Sequence, residues 1–391
     1  MLSLEYALHA REPGARVNGP VPAEHAPLLT AALAEPEPAV AALRDWLAAH
    51  PLAGTIEHLA YVLLPGIYRR LSLAGVDLPE RARLASTYRH TWALNQRLHQ
   101  SLHRYARALD AEGIPFVVIK GPWLLAYAYG DPGTRPTADL DLVIRPADLP
   151  RLQQWLAREG FRPTHDPPPP HHLARSCGLG YRRAGAVDLD VHWHPFMADT
   201  PVAAEERFWA DSVWMDLQGA RVRVPSPLDG FLLTLWHGRK PDPGSRLRWI
   251  VDAALQLRRA PIDLAALLAR AEHTRLLQPC VEALPILADY TPLDLPSLPS
   301  PPALPWQLEL YDRLQRHAAA RRRHSVWADP WRKPRSLALR GLEYWLSTHS
   351  FGQDFEWGGL IRHFQTVWAS RAAGLHESAR DQPISMADRH H

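Results

Sequence analysis

The stretch from Ile114 to Ile144, IPFVVIKGPWLLAYAYGDPGTRPTADLDLVI, constrains the fold more than any other part of the chain. It opens on IPFVVI, a short apolar run rich in β-branched residues, of the kind that forms a fully buried strand. Lys120-Gly121-Pro122 breaks that run: glycine permits a tight strand-to-helix turn, and proline suits a first helical position. PWLLAYAY can run as a short helix to a stop at Gly130, after which the DPG turn and the TRPT loop lead into a second strand, DLDLVI.

That second strand carries two aspartates, Asp139 and Asp141, two residues apart. Side chains at i and i+2 of a strand point the same way, with Cα atoms about 6.6 Å apart at about 3.3 Å per residue. A buried strand does not tolerate two like charges unaided, because desolvation costs several kcal/mol per ion. A divalent cation supplies the compensation, and Mg²⁺ is commonly held by one or two carboxylates together with substrate phosphates. The plainer alternative is a solvent-facing strand end.

Further on, VDLDVHWHP alternates strictly and closes at Pro195. Asp188, Asp190, His192 and His194 fall on one face, with Val187, Leu189, Val191 and Trp193 on the other. Asp190 can supply a third carboxylate to a metal clamp, with Asp188 on the same face as its substitute. His192 is expected as a packed, hydrogen-bonded histidine.

The Lys120-Gly121 turn suits a phosphate, since a helix start offers free N–H groups and the positive end of its dipole, and Lys120 adds a formal charge. Lys120 can equally be an ordinary strand-edge lysine. Arg135 either touches a triphosphate or braces its loop by pairing with an aspartate.

These residues carry a resemblance. The segment from Ile114 through REGF at 158–161 resembles the core of the uncharacterised nucleotidyltransferase family of the DNA polymerase β-like superfamily. Arg135, Asp139 and Asp141 fit that family's Arg-x-x-x-Asp-x-Asp pattern, and Asp190-Val191-His192-Trp193 fits its acidic residue followed by a hydrophobic-His-Trp triplet. The later LLTLWHG and LRWIVDAALQL are similar to its C-terminal helices, where His237, Arg248 and Asp252 are candidates to face the cleft. Arg248 and Asp252 also have the spacing of an ordinary i,i+4 pair. The likeness spans roughly residues 30 to 345 and is most specific between 114 and 194. One departure is Pro122, where better-known relatives have Gly-Ser or Gly-Gly; it removes an N–H donor and shifts phosphate binding onto Lys120, Gly121 and later amides.

The resemblance implies an α+β fold, a small mixed β-sheet nucleotidyltransferase core flanked by N-terminal and C-terminal helical regions. The expected division is a helical region over 1–95, the core over 96–200, and a helical region with a polar tail over 201–391. It implies a bacterial enzyme (EC 2.7.7.-) that transfers a nucleoside monophosphate from a nucleoside triphosphate to a hydroxyl or phosphate acceptor, a small molecule, peptide or protein, and releases pyrophosphate. The metal, Mg²⁺ or Mn²⁺, would sit on Asp139, Asp141 and Asp190. Two alternatives stay open: a phosphoester hydrolase with a transition metal on Asp188, Asp190, His192 and His194, or a catalytically silent nucleotide-binding scaffold.

Composition narrows the partners. With 44 basic and 41 acidic residues the net charge is only +3, too balanced for a nucleic-acid coat or a membrane-surface protein. No stretch approaches the ~18 consecutive apolar residues of a membrane span. Cys177 and Cys280 leave no disulfide framework, and the N-terminus lacks a secretory pattern, so a cytoplasmic protein is expected. His171, His172, His390 and His391 are adjacent pairs in a loop and at a terminus, which are usually solvated.

Overall fold

The computed structural model describes residues 24–52, 56–164, 176–196, 200–238 and 245–293, together with Val21, Leu295 and Leu298. Ahead of the sheet the chain forms α1 (Ala26–Leu33), α2 (Pro36–Ala49), α3 (His58–Tyr61), α4 (Leu64–Leu73) and the long α5 (Arg81–Ala111). Proline in the first turn opens α1, α2 and α4, where its missing N–H would have had no intrahelical partner. Along α5, Leu98, Leu102, Tyr105 and Leu109 recur at spacings of four and three and are buried on one face. Gly113, at φ 64°, takes the left-handed turn that ends it.

The segment that constrained the sequence follows: β1 (Phe116–Ile119), α6 (Gly121–Leu124), a π-helical turn over Leu125–Tyr129, and β2 (Asp139–Ile144). Next come α7 (Leu149–Arg158), β3 (Arg162–Pro163), β4 (Gly178–Arg182), β5 (Asp188–His192), α8 (Val202–Asp211), β6 (Val213–Leu217) and β7 (Ala220–Val224). The described chain then closes with α9 (Pro227–Gly238), α10 (Ser245–Arg259), α11 (Leu264–His273) and α12 (Leu277–Ala288).

The seven strands form one mixed sheet in the order β3-β4-β5-β2-β1-β7-β6. β2 runs parallel to β5 and β1 parallel to β7, while the remaining pairs are antiparallel. β1, β2, β5 and β7 have the apolar or alternating signature of a strand. β4 is Gly-rich and lacks it, while β6, VWMDL, is apolar but too short to be told by pattern from the end of α8, and as an edge strand it exposes Trp214. Because β7 pairs with β1 and β6 with β7, the sheet draws on residues on both sides of position 200.

Alternation assigns the two sheet faces. Val118, Leu140, Leu142, Leu189 and Val191 pack with Leu102 and Tyr105 of α5 and Leu152 and Trp155 of α7. On the opposite face Val117, Ile119 and Val143 join the core of Phe208 from α8 and Phe231 and Leu232 from α9. Asp139 and Asp141 share that second face with Val143, which turns them toward the C-terminal helices.

The tract HDPPPPHH, whose prolines allow only loop or a polyproline segment, the His390–His391 pair, and the stretches around 306–324, 336–347 and 357–373, which the sequence suggests are helices, lie outside the described residues. Among the described residues no helix is long and apolar enough to cross a membrane.

Candidate active site

Strand register brings the acidic residues together. Asp141 lies opposite Asp190 and Asp139 opposite Asp188 across the parallel β2–β5 pair, and Ile119, the residue before Lys120, lies opposite Asp141 on the other side. Asp141 is buried and Asp190 partly so. The ligand atoms of Asp141, Asp190 and His192 all lie within 4.8 Å of one another. His192 Nε2 is 3.2 Å from Asp141 Oδ1 and 3.2 Å from Asp190 Oδ2. His192 is therefore buried and partnered, and its partners are the two carboxylates of the cluster.

Lys120 reaches into the same group. Its ammonium donates to Asp141 Oδ1, and lies 3.9 Å from Asp190 Oδ2 and 3.4 Å from His192 Nε2. Burial works against the charged lysine, yet Asp141, Asp190 and Asp139 outweigh it and raise its pKa. The same contest, burial against Asp190 and Asp141, raises that of His192. Asp139 is pushed up to about 6, first by the charge of Asp141, then by burial, with Lys120 and Arg248 pulling the other way. Lys120 thus faces three carboxylates, with His192 between two of them and Arg248 acting on Asp139, and a divalent cation would relieve the repulsion among carboxylates that raises Asp139.

The turn itself is strained. Lys120 sits at φ 57° and ψ −118°, a conformation few side-chain-bearing residues adopt. It is held by the Leu124 N–H, which donates to the Lys120 carbonyl at 2.8 Å. Gly121 has a steric reason as well: a Cβ there would lie 2.2 Å from Cγ2 of the buried Thr137. The closeness of Thr137 has no local signal in the sequence.

Arg135 is clamped rather than free. Its Nε and Nη2 donate to the two oxygens of Asp252 at 2.8 and 2.9 Å, and its Nη1 donates to Thr137 Oγ1 at 3.1 Å. Tyr129 completes the cluster by donating to Asp252 Oδ1 at 2.6 Å. The N-terminal helices brace the loop that presents Arg135. Arg69 and Tyr88 donate to Asp131, and Asn95 donates to the Pro132 and Arg135 carbonyls. Tyr129, 123 residues from Asp252, is the partner that sequence reasoning missed.

Of the remaining candidates, Arg248 donates to the Pro136 carbonyl at 3.4 Å, and the His237 ring lies 6.3 Å from that of His192. The set Asp188, Asp190, His192 and His194 does not converge, because Asp188 pairs with Arg182 at 3.0 Å and His194 Nδ1 lies 2.6 Å from Glu205. A cavity of about 390 Å³ joins these parts. Lys120, Gly121, Asp139, Asp141 and Asp190 line it on the sheet side, and Leu233, His237, Arg248 and Trp249 on the helical side.

Residues 60–292 match the model of the family described as uncharacterised nucleotidyltransferase, and since this is more than half of the chain, the protein belongs to that family. Two solved structures are similar at low level. The antibiotic-resistance factor ANT(2'')-Ia aligns at 16% identity and a TM-score of 0.32, over 46% of this chain and 90% of its own. An antigenic nucleotidyltransferase-like protein from Paracoccidioides brasiliensis aligns at 19% identity and a TM-score of 0.31, over 50% of this chain and 87% of its own. No curated protein matches the chain.

Proposed function

We propose that the chain is a cytoplasmic, divalent-metal-dependent nucleotidyltransferase that transfers a nucleoside monophosphate from a nucleoside triphosphate to a hydroxyl or phosphate acceptor. The observation that carries this reading is the register of β2 against β5, which sets Asp141 beside Asp190 at the Lys120-Gly121 turn, inside one cavity. The donor set fits a hard divalent cation: carboxylate oxygens from Asp141 and Asp190, Asp139 close by, and His192 behind them. When bound, Mg²⁺ or Mn²⁺ supplies charge neutralisation for the phosphates and acidifies the attacking hydroxyl.

The protein's own groups would do the rest. Lys120 and the backbone at Gly121 hold phosphate oxygens at the start of α6. Asp190, the more exposed carboxylate of the pair, accepts the acceptor's proton. The acceptor oxygen bonds to the α-phosphorus, the bond from that phosphorus to the bridging oxygen breaks, and pyrophosphate leaves with the electron pair. His192 orients Asp141 and Asp190 by contact with both.

The test is pyrophosphate release by the full chain with mixed nucleoside triphosphates, Mg²⁺ or Mn²⁺ and a panel of acceptors. Asp141→Asn and Asp139→Ala are each expected to lower release by at least about 100-fold, the scale for losing one electrostatic contact to a transition state. Absence of nucleotide binding with either metal, or wild-type rates in both variants, would sink the proposal.

A further inference from the structure

Lysine is scarce in this chain, occurring at positions 120, 240 and 333, whereas arginine supplies nearly all of the 44 basic residues. The fixed ion pairs of the described core follow that preference: Arg135 grips Asp252 and Arg270 grips Asp229, each with two nitrogens. The acidic cluster departs from it. There the cation is a lysine, a compact charge on a flexible stem that commits to no bidentate geometry.

The position of that ammonium matters as much as its type. Lys120 contacts Asp141, Asp190 and His192, the same three residues whose ligand atoms converge within 4.8 Å. A divalent cation on those atoms and the lysine ammonium would compete for the same oxygens. The Lys120 side chain is 23% exposed and borders the cavity, so it has somewhere to go. Its backbone, at φ 57°, aims it into the cluster despite the strain.

From this geometry, and resting on the proposed metal site, we infer that Lys120 is a built-in counter-cation, a latch that fills the carboxylate cluster before a divalent ion arrives and is expelled by it. Expulsion frees the ammonium into the cavity where a phosphate would lie, so the ion that neutralises the carboxylates also delivers the lysine to the anion. Metal alone then binds against the cost of breaking the Lys120–Asp141 pair.

Two measurements on the full chain test the latch, with Mn²⁺ as the probe in phosphate-free buffer. Lys120→Met removes the competing charge and is expected to bind Mn²⁺ about 5–150-fold more tightly than wild type, the range of ordinary coupling between sites. Lys120→Gly accepts the positive φ without strain and gives the same comparison should the methionine variant not fold. In the wild type, labelling of Lys120 by an amine-reactive reagent, quantified by peptide mass spectrometry, is expected to rise when Mn²⁺ is added. That readout separates expulsion from simple charge repulsion, which would leave the lysine in place. Variants that bind Mn²⁺ no more tightly than wild type, or Lys120 labelling that stays level or falls, overturn the latch and leave the metal site standing. No Mn²⁺ binding by wild type or variants overturns the metal site and the latch together.

Discussion

Arg135 and Asp252 meet through hydrogen bonds of 2.8 and 2.9 Å with Tyr129 closing the third side, while on another wall of the same cavity Asp141 and Asp190 share the Lys120 ammonium with Asp139 close by. In the first cluster one cation meets one anion in matched geometry, and the partners are buried together. In the second, three carboxylates crowd one corner, and the cation in contact with two of them is a lysine on a flexible stem, with His192 between them and Arg248 acting on Asp139. A cluster that is electrically complete has nothing left to bind. One that is incomplete raises the pKa of its own members, as at Asp139, and is where a ligand cation would be stabilised.

The largest effect expected from this contrast is on stability. Arg135→Met leaves the Asp252 carboxylate buried without its cation, and removing one partner of such a pair costs about 3–5 kcal/mol. Chemical denaturation should show that loss as an earlier midpoint with little change in slope. A loss under about 1 kcal/mol, the value of a surface pair, would mean the Arg135 cluster is hydrated and would break the comparison.

How far the sequence exposed this contrast depends on distance along the chain. β1, the Lys120-Gly121-Pro122 turn, β2 and β5 were legible because each is a local pattern: an apolar run, a breaker pair, a strict alternation. The placing of Asp139 and Asp141 on one face of β2 was legible for the same reason, whereas the close grouping of His192 with Asp141 and Asp190 was not. β4 was not, since a glycine-rich strand lacks the apolar signature, and β6, VWMDL, was not, since so short an apolar run cannot be told by periodicity from a continuation of α8. The partner of Arg135 could be anticipated only as an aspartate. Choosing Asp252, and adding Tyr129 to it, needs the packing of α10 against the π-helical turn, which no window of sequence contains. Likewise Arg248 and Asp252 have helical pair spacing, yet the Asp252 carboxylate is taken by residues 117 and 123 positions away.

A second prediction, of intermediate size, sharpens the incomplete cluster through pH. The Asp139 carboxyl titrates near 6 in the folded protein against a usual 3.8. Since its folded value is the raised one, folding favours the protonated form. Ionising Asp139 carries no penalty below about pH 4, a growing one between 4 and 6, and the full one above, at most about 3 kcal/mol for two pKa units. Metal-free protein should lose that stability as pH rises through this window, and a divalent cation should restore it. The rise in melting temperature on adding Mg²⁺ is therefore expected to be larger at pH 7.5 than at pH 5, and Asp139→Asn should flatten the difference. Equal Mg²⁺ stabilisation at both pH values would remove Asp139 from the cation site.

The smallest effect belongs to Asp188, and it tests how sharply the cluster ends. Asp188 shares a face with Asp190 and lies opposite Asp139 in the ladder, so by pattern alone it is as good a ligand. The structure gives it Arg182, an arginine two-thirds exposed, at 3.0 Å. A pair that open to water is worth about 0–1 kcal/mol. Asp188→Asn should therefore shift stability by less than about 1 kcal/mol and leave Mn²⁺ affinity and pyrophosphate release near wild type, while Asp190→Asn in the same assays removes both. Loss of metal binding in Asp188→Asn comparable to that in Asp190→Asn would extend the incomplete cluster by one strand position. The boundary between ligand and solvated face would then lie at Arg182 rather than between two aspartates two residues apart.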